Sequence, residues 1–248
     1  MAVTANHKVA LVTGSAQRIG AEIVKQLHAA GFDVFIHYHT SIKQAQTLAA
    51  TLNAIRTNSA HTIQQDLTEP AAVEDIMRQL QAKTDRLDVL VNNASIFKAS
   101  PIQAASLADF EALFTLHVKV PYSLSLAAKT LLAKQQGLII NITDIHAQSG
   151  LPNYALYCQS KAALELQTKI LAKELAPDIR VNAIAPGACL WPVGENQLAD
   201  KAKQSVLNKI PLGSAGEPKH IALAVLSFVQ NPYITGQILA VDGGRSLG

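Results

Sequence analysis

The sequence predicts an α/β fold: a doubly wound parallel sheet of about seven strands with helices on both faces. Three observations predict it. Short β-branched runs alternate with longer stretches of helical periodicity along all 248 residues, the pattern left by strand–helix–strand crossovers. Runs such as Val9-Ala10-Leu11-Val12 are apolar at every position, as expected of strands covered on both sides. The composition is 49% hydrophobic and 16% charged, against roughly 25% charged in a typical soluble domain.

Taken in order, Val9–Thr13 is the first predicted strand, and Ala21–Ala30 a helix stopped by Gly31. Val34–Tyr38 is the second strand and Lys43–Arg56 the next helix. His61–Asp66 is the third strand, followed by a helix from Pro70. Val89–Val91, Leu138–Ile142, Val181–Ile184 and Ile238–Val241 complete the sheet, and Tyr154–Leu175 is the longest helix between them. No linker, repeat or low-complexity segment interrupts the pattern, so residues 1–248 are expected to form one Rossmann-type domain. The stretch around 188–210 has mixed polarity between a strand and a helix and is the expected substrate loop.

Composition also excludes classes. With 13 Gly, 10 Pro and two Cys, the chain is not collagenous, coiled-coil or a disulfide scaffold. Its apolar content excludes intrinsic disorder. The net charge of +3 comes from scattered basic residues, whereas a nucleic-acid partner would require a clustered basic face. Cys158 and Cys189 suit a reducing compartment. Only Val9–Val12 is apolar before Thr13-Gly14, too short for a secretory signal. No apolar run approaches the about 18 residues of a membrane span. A cytoplasmic protein with no membrane partner is expected.

Strand one runs into Thr13-Gly14-Ser15-Ala16-Gln17-Arg18-Ile19-Gly20 and then a helix. Gly14 permits a tight turn, and Gly20 permits close packing of helix on strand. Backbone N–H groups at such a helix start face a pyrophosphate, helped by the dipole. Arg18 stands where dinucleotide folds commonly carry a second glycine. It is read either as a cation for phosphate or substrate, or as a solvated residue at the helix start. The second strand ends in His37-Tyr38-His39-Thr40-Ser41 with no acid for a ribose 2′-hydroxyl. His39, Thr40, Ser41 and nearby Lys43 suit a 2′-phosphate instead, so NADPH is the expected cofactor. His37 and His39 have a metal-like spacing but no third ligand, and no metal is expected.

Tyr157 and Lys161 lie four apart on the long predicted helix and so share a face. A fixed ammonium beside a phenol is expected to lower the phenol's pKa and make it a usable acid. Asp144 ends strand five and Asn92-Asn93-Ala94 ends strand four at the same carboxyl edge, where open α/β sheets bind ligands.

Together, Thr13-Gly14…Gly20, Asn92-Asn93-Ala94, Tyr157…Lys161, Pro186-Gly187 and Asp242-Gly243-Gly244 resemble the short-chain dehydrogenase/reductase family over essentially the whole chain. Within it the chain looks most like the pteridine reductases, through Arg18, through Asp144 in place of the usual Ser, and through Ser95 and Phe97. Thr40 departs from that pattern, because an Arg is common there. The resemblance implies an NADPH-dependent reductase of pterins or dihydropterins, with dihydrofolate a further candidate. Asp144, Tyr157 and Lys161 would be catalytic. Gly14, Arg18, Ile19, Gly20, His39, Thr40, Ser41, Asp66, Leu67, Asn92, Ala94, Pro186 and Gly187 would meet the cofactor. Arg18, Ser95, Phe97, Asp144, Tyr157 and Trp191 would meet the substrate.

Each assignment has a plainer counterpart. Asp144 can be a helix cap, Phe97 core, and Trp191 an anchor for its own loop rather than a lid. His117 stands where many family members have Asn, and serves either the proton relay or packing. A ketone or acyl reductase of the same fold and a non-catalytic NADP(H)-sensing protein remain the competing functions. Apolar helical stretches such as Leu124–Leu132 and Ile221-Ala222-Leu223-Ala224-Val225-Leu226 are expected to be partly wet in a monomer, which with the family's habit implies a homotetramer.

Overall fold

The computed structural model describes residues 7–191 and 199–247. Seven parallel strands form one sheet: β1 Val9–Val12, β2 Asp33–Tyr38, β3 Ala60–Gln64, β4 Val89–Asn92, β5 Leu138–Ile142, β6 Arg180–Pro186 and β7 Ile238–Val241. Their spatial order is β3-β2-β1-β4-β5-β6-β7. The winding therefore reverses between β1 and β4, and the crevice at their carboxyl ends is where such a sheet takes a ligand.

Alternation within the strands explains their uniformly apolar sequences. Ala10 and Val12 of β1 join one core with α1 (Arg18–Ala29), α2 (Ile42–Ile55) and α9 (Pro218–Gln230). Val9 and Leu11 join the other with α3 (Ala72–Gln81), α5 (Val120–Ala133) and α7 (Ala155–Glu174). Side chains of a strand alternate faces, so a sheet layered on both sides needs apolar residues at every position. Among the described residues the remaining α-helices are α4 (Leu107–Phe114), the single turn α6 (His146–Ser149) and α8 (Asp200–Leu207), with a 3-10 turn at Arg245–Leu247. Between α4 and α5 the chain widens into a π-helical turn, Thr115–Lys119.

Most predicted boundaries hold to within two residues. Strand one ends at Val12 rather than Thr13, because Gly14 adopts φ of +60° and turns the chain away. Helix α1 starts at Arg18, three residues before the predicted Ala21. Asp144 lies two residues beyond the end of β5, and only Asn92 of the Asn92-Asn93-Ala94 triplet belongs to β4. Leu124–Leu132 and Ile221–Leu226 are partly wet, as expected: Leu126 and Leu223 are exposed, while Leu124, Ala128, Leu131, Leu132, Ile221 and Val225 are buried in the chain's own core. On α5 and α7 the exposed large apolar side chains are Tyr122, Leu126, Leu166 and Ile170.

A polar rung crosses the apolar layers beneath the crevice. Asn92 Nδ2 donates to Asn141 Oδ1 at 2.8 Å, and Asn141 Nδ2 donates to Thr168 Oγ1 on α7 at 2.9 Å. Asn141 and Thr168 are fully buried, so each bond replaces water the groups have lost. Asn141→Ala strands both partners, and urea unfolding is expected to show a loss of about 2–4 kcal/mol. A loss below about 0.5 kcal/mol would mean that the rung adds nothing to stability.

Candidate active site

The turn after β1 is held by its neighbours. Arg18 has φ of +58°, the left-handed region that its slot demands and that glycine more often fills. A Cβ on Gly14 would sit 2.8 Å from Ala94 Cα, and one on Gly20 would sit 2.6 Å from Gly14 O. The backbone therefore approaches closely on both sides, leaving the start of α1 open to a pyrophosphate. Ile19 packs partly buried against the upper core.

Asn93 is the brace of this turn, and sequence reasoning passed over its role. Its Nδ2 donates to Thr13 O at 2.8 Å and to Gly14 O at 3.0 Å. Thr13 Oγ1 in return accepts the N–H groups of Asn93 and Ala94, at 2.9 and 3.0 Å. Asn92, the expected cofactor ligand, turns its amide into the sheet toward Asn141, so its side chain belongs to the polar rung.

His37 is the second brace. Its Nδ1 accepts the Gly14 N–H at 3.0 Å, and its Nε2 reaches Gln65 O at 3.1 Å, which fixes the Nε2–H tautomer. Burial drives its pKa down to about 4, so the ring stays neutral. The metal-like pair His37 and His39 is thus a turn support and an exposed residue. Among the described residues no group of His, Cys, Asp or Glu can hold a metal ion.

The rim beyond β2 and β3 carries His39, Thr40, Ser41, Asp66 and Leu67. His39 Nε2 lies 3.3 Å from Asp66 Oδ2, and both are accessible. Thr68 bonds, through backbone N–H and hydroxyl, help hold Asp66 below its usual pKa despite burial. Ser41 is the cap residue of α2, with Thr40 exposed beside it. The Leu67 side chain lies in the core with α3, α5 and α7, which leaves its backbone on this rim.

Across the crevice, Tyr157 OH donates to Asp144 Oδ2 at 2.8 Å. Asp144 Oδ1 accepts from the His146 backbone N–H at 2.8 Å and lies 2.7 Å from His146 Nδ1. Burial alone would raise the Asp144 pKa, but the bonds and charge of His146 and the Tyr157 hydroxyl hold it below the carboxylate range. Lys161 is buried, donates to Ile142 O at 2.9 Å, and stands 5.8 Å from the centre of the Tyr157 ring. Burial lowers its pKa to about 8.

The expected lowering of the Tyr157 pKa by Lys161 is corrected. Burial and the Asp144 carboxylate push the phenol well above its ordinary value. The phenol faces an anion at hydrogen-bond distance, and the ammonium is spent on a backbone carbonyl. In this arrangement Tyr157 is a held proton rather than a phenolate.

His117 sits in the π turn behind the crevice. Its Nε2 accepts from the Ile96 N–H at 3.3 Å and meets Ser95 Oγ at 2.9 Å; its Nδ1 meets Ser160 Oγ at 2.8 Å. Ser160 in turn donates to Tyr157 O at 2.7 Å. The network requires a neutral ring with its proton on Nδ1, and burial and Lys161 both lower its pKa strongly. This resolves the alternatives for His117: it ties Ser95 to the helix of Tyr157, and Ser160 is the link that sequence reasoning missed. Phe97 stacks on Tyr154 with centroids 4.3 Å apart and meets Tyr157 edge-on at 4.9 Å. Trp191 closes the described part of the following segment, its carbonyl 3.5 Å from Arg18 Nη2. Residues 192–198 of the expected substrate loop lie outside the described residues. Pro186 ends β6, and Gly187 donates to Val241 O at 3.0 Å.

A family model described as Enoyl-(Acyl carrier protein) reductase matches residues 14–246. This chain belongs to the short-chain dehydrogenase/reductase family. The reductase is 35% identical to pteridine reductase 1 of Leishmania tarentolae, an alignment covering 100% of this chain and 99% of that one. It is 38% identical to the 3-oxoacyl-[acyl-carrier-protein] reductase FabG of Rickettsia bellii, over 96% of each chain. Among solved structures, FolM alternative dihydrofolate reductase 1 from Brucella suis, in complex with NADP, superposes with a TM-score of 0.90 at 36% identity. That match covers 99% of this chain and 97% of that one. The Brucella canis counterpart, also complexed with NADP, gives 0.87 at 35% identity over 97% and 95%.

The brace of the reductase's first turn has a pH signature. His37 has a folded pKa of about 4, below its unfolded value of about 6.5. The unfolded chain therefore binds more protons between these values, and stability is lost as pH falls through that window. His37 alone contributes about 3 kcal/mol to this loss. His28, His61 and His117 add to it, all lowered mainly by burial. Urea unfolding from pH 7 to pH 4 is expected to show a shallower slope in His37→Asn than in wild type; equal slopes would refute a neutral His37.

Proposed function

We propose that this reductase uses NADPH to reduce a pterin or dihydropterin at a ring C=N bond, dihydrofolate being a further candidate. The observation that carries the reading is the Asp144–Tyr157 hydrogen bond of 2.8 Å at the mouth of the crevice. A carboxylate beside the phenol suits a substrate edge rich in N–H groups, where a lone hydroxyl would suit a carbonyl oxygen. The likeness to pteridine reductase 1 and to the FolM proteins supports the same choice.

NADPH, when bound, supplies the hydride. The turn braced by Asn93 and His37 would hold its pyrophosphate, with Gly14, Ile19, Gly20, Ala94, Pro186 and Gly187 as the backbone cradle. Arg18, His39, Thr40 and Ser41 line the phosphate side, and Asp66 and the Leu67 backbone the adenine side. Tyr157 delivers a proton to the ring nitrogen, and Lys161 stands behind it to meet the charge left on the phenol. Asp144 orients the N–H edge. Ser95, held by His117, and Phe97 would line the substrate, with Trp191 as a further contact.

The FabG likeness supports a second reading, reduction of a ketone or acyl carbonyl on the same groups. NADPH consumption with biopterin, dihydrobiopterin, dihydromonapterin and dihydrofolate, run beside a ketone panel, separates the two. Turnover of a pterin is expected; turnover confined to ketones replaces the reading. Tyr157→Phe is expected to lose about 10²–10⁴ in kcat with KM little changed.

The exposed apolar residues Tyr122, Leu126, Leu166 and Ile170 lie on neighbouring helices α5 and α7. Self-association that covers them accounts for the low charge fraction, and we expect a cytoplasmic homotetramer. Light scattering at micromolar concentration tests it, a monomer being the contrary result. Among the described residues no helix is long and apolar enough to cross a membrane.

A further inference from the structure

The reductase consumes one proton per turnover, and the groups that would supply it are sealed in. Tyr157 is 5% exposed and Lys161 2%. His117 has both ring nitrogens engaged by Ser95, Ile96 and Ser160. The Cys158 and Cys189 thiols are pushed up by burial and release no proton near neutrality. Asp144, bonded to Tyr157, has a side chain 19% exposed, so the link from this pocket to water runs through the carboxylate and what it binds.

The geometry points to His146 as that connection: it passes protons from solvent to the Asp144–Tyr157 pair. The two oxygens of Asp144 are divided between the partners, Oδ2 to Tyr157 at 2.8 Å and Oδ1 to His146 Nδ1 at 2.7 Å. The carboxylate is therefore a bridge between phenol and imidazole. A plain turn at the start of α6 would need only the backbone bond from His146 N–H, which is also present at 2.8 Å. The ring contact is additional, and nothing in the turn requires it. The His146 side chain is 15% exposed. Among the described residues its Nε2 has no protein partner and is not sealed from solvent.

The other titratable groups around Asp144 are Tyr157, Cys158 and Lys161 on α7 and Cys189 after β6. Lys161 donates its hydrogen bond to the Ile142 carbonyl rather than to the carboxylate. Among the described residues Asp144 is the only carboxylate in contact with the His146 ring.

The step balances simply. Hydride from NADPH forms the new C–H bond, and the Tyr157 proton forms the new N–H bond. The Tyr157–Asp144 pair is then one proton short. His146 gives its Nδ1 proton to Asp144 Oδ1 while its Nε2 takes one from solvent, and the carboxyl group then turns and hands the proton to the phenolate, restoring the Tyr157 hydroxyl and the Asp144 carboxylate. Histidine is the side chain suited to such exchange near neutral pH. The inference rests on Tyr157 being the proton donor, but not on the substrate being a pterin. The same shuttle would serve a ketone oxygen.

The test is chemical rescue. His146→Ala and His146→Gln are measured in a buffer that carries protons poorly, with and without added imidazole, on whichever substrate the wild type turns over. Both are expected to lose about tenfold or more in kcat. Imidazole should restore the Ala variant in proportion to its concentration and leave the wild type unchanged. NADPH binding, followed by its fluorescence, should be retained in both variants. A merely structural role predicts that Gln restores the rate and that imidazole does nothing. Variants as fast as wild type, or slow variants that imidazole leaves slow, overturn the shuttle. The proton NMR spectrum of the wild type supplies a reading independent of turnover. A far-downfield exchangeable proton is expected, lost in His146→Ala and Asp144→Asn but kept in Tyr157→Phe, and its absence overturns the link. A wild type that reduces ketones but no pterin, with imidazole rescue intact, overturns the substrate reading alone.

Discussion

No side chain fits between the turn after β1 and the turn after β4. The Gly14 backbone lies against Ala94 so closely that a Cβ would sit 2.8 Å from Ala94 Cα, and most of the crevice follows from that contact. It draws Thr13 and Asn93 together, and their reciprocal bonds lock the two strand ends. It leaves the start of α1 facing outward with its N–H groups unobstructed. Ser95 and Phe97 follow directly on the chain, so the pocket wall is placed by the same approach that shapes the phosphate turn. The helix bearing Tyr157 is then aligned to this wall through Ser160, His117 and Ser95.

Electrostatics completes what packing starts. Three buried ionisable groups here are each held in one protonation state by their surroundings. His37 is neutral because burial removes water and the Gly14 N–H occupies its free nitrogen. His117 is neutral for the same reason, with Lys161 adding repulsion. Asp144 stays ionised because His146 and Tyr157 donate to it. With Asp144 ionised and His37 and His117 neutral, the crevice has few idle charges to reorganise when a substrate enters.

The fold was legible because it is written in periodicity. Uniformly apolar strands separated by helical stretches leave little choice of architecture, and the winding order placed Gly14, Asn92, Asp144 and Tyr157 at one edge before any coordinates. What the sequence hid is mostly direction. Asn92 and Asn93 are adjacent and identical in type, yet the pleat sends one amide into the sheet and the other to the glycine turn. Leu67 likewise sits on the right loop and points into the core. Spacing placed Tyr157 and Lys161 on one face, but only the surroundings show that the phenol bonds the carboxylate while the ammonium bonds a carbonyl. His146 carried no periodic or motif signal, since its role comes from a side chain folding back two residues.

The rung from Asn92 through Asn141 to Thr168 has a meaning beyond stability. Apolar side chains pack acceptably in many offsets, and a helix lying on a greasy sheet can slide by a turn at modest cost. An amide that must meet a particular hydroxyl has one solution. Thr168 lies seven residues, close to two helical turns, beyond Lys161. The rung therefore acts as an index mark that sets the catalytic helix at a single longitudinal position, so that phenol and ammonium arrive opposite Asp144 and Ile142 rather than one turn away.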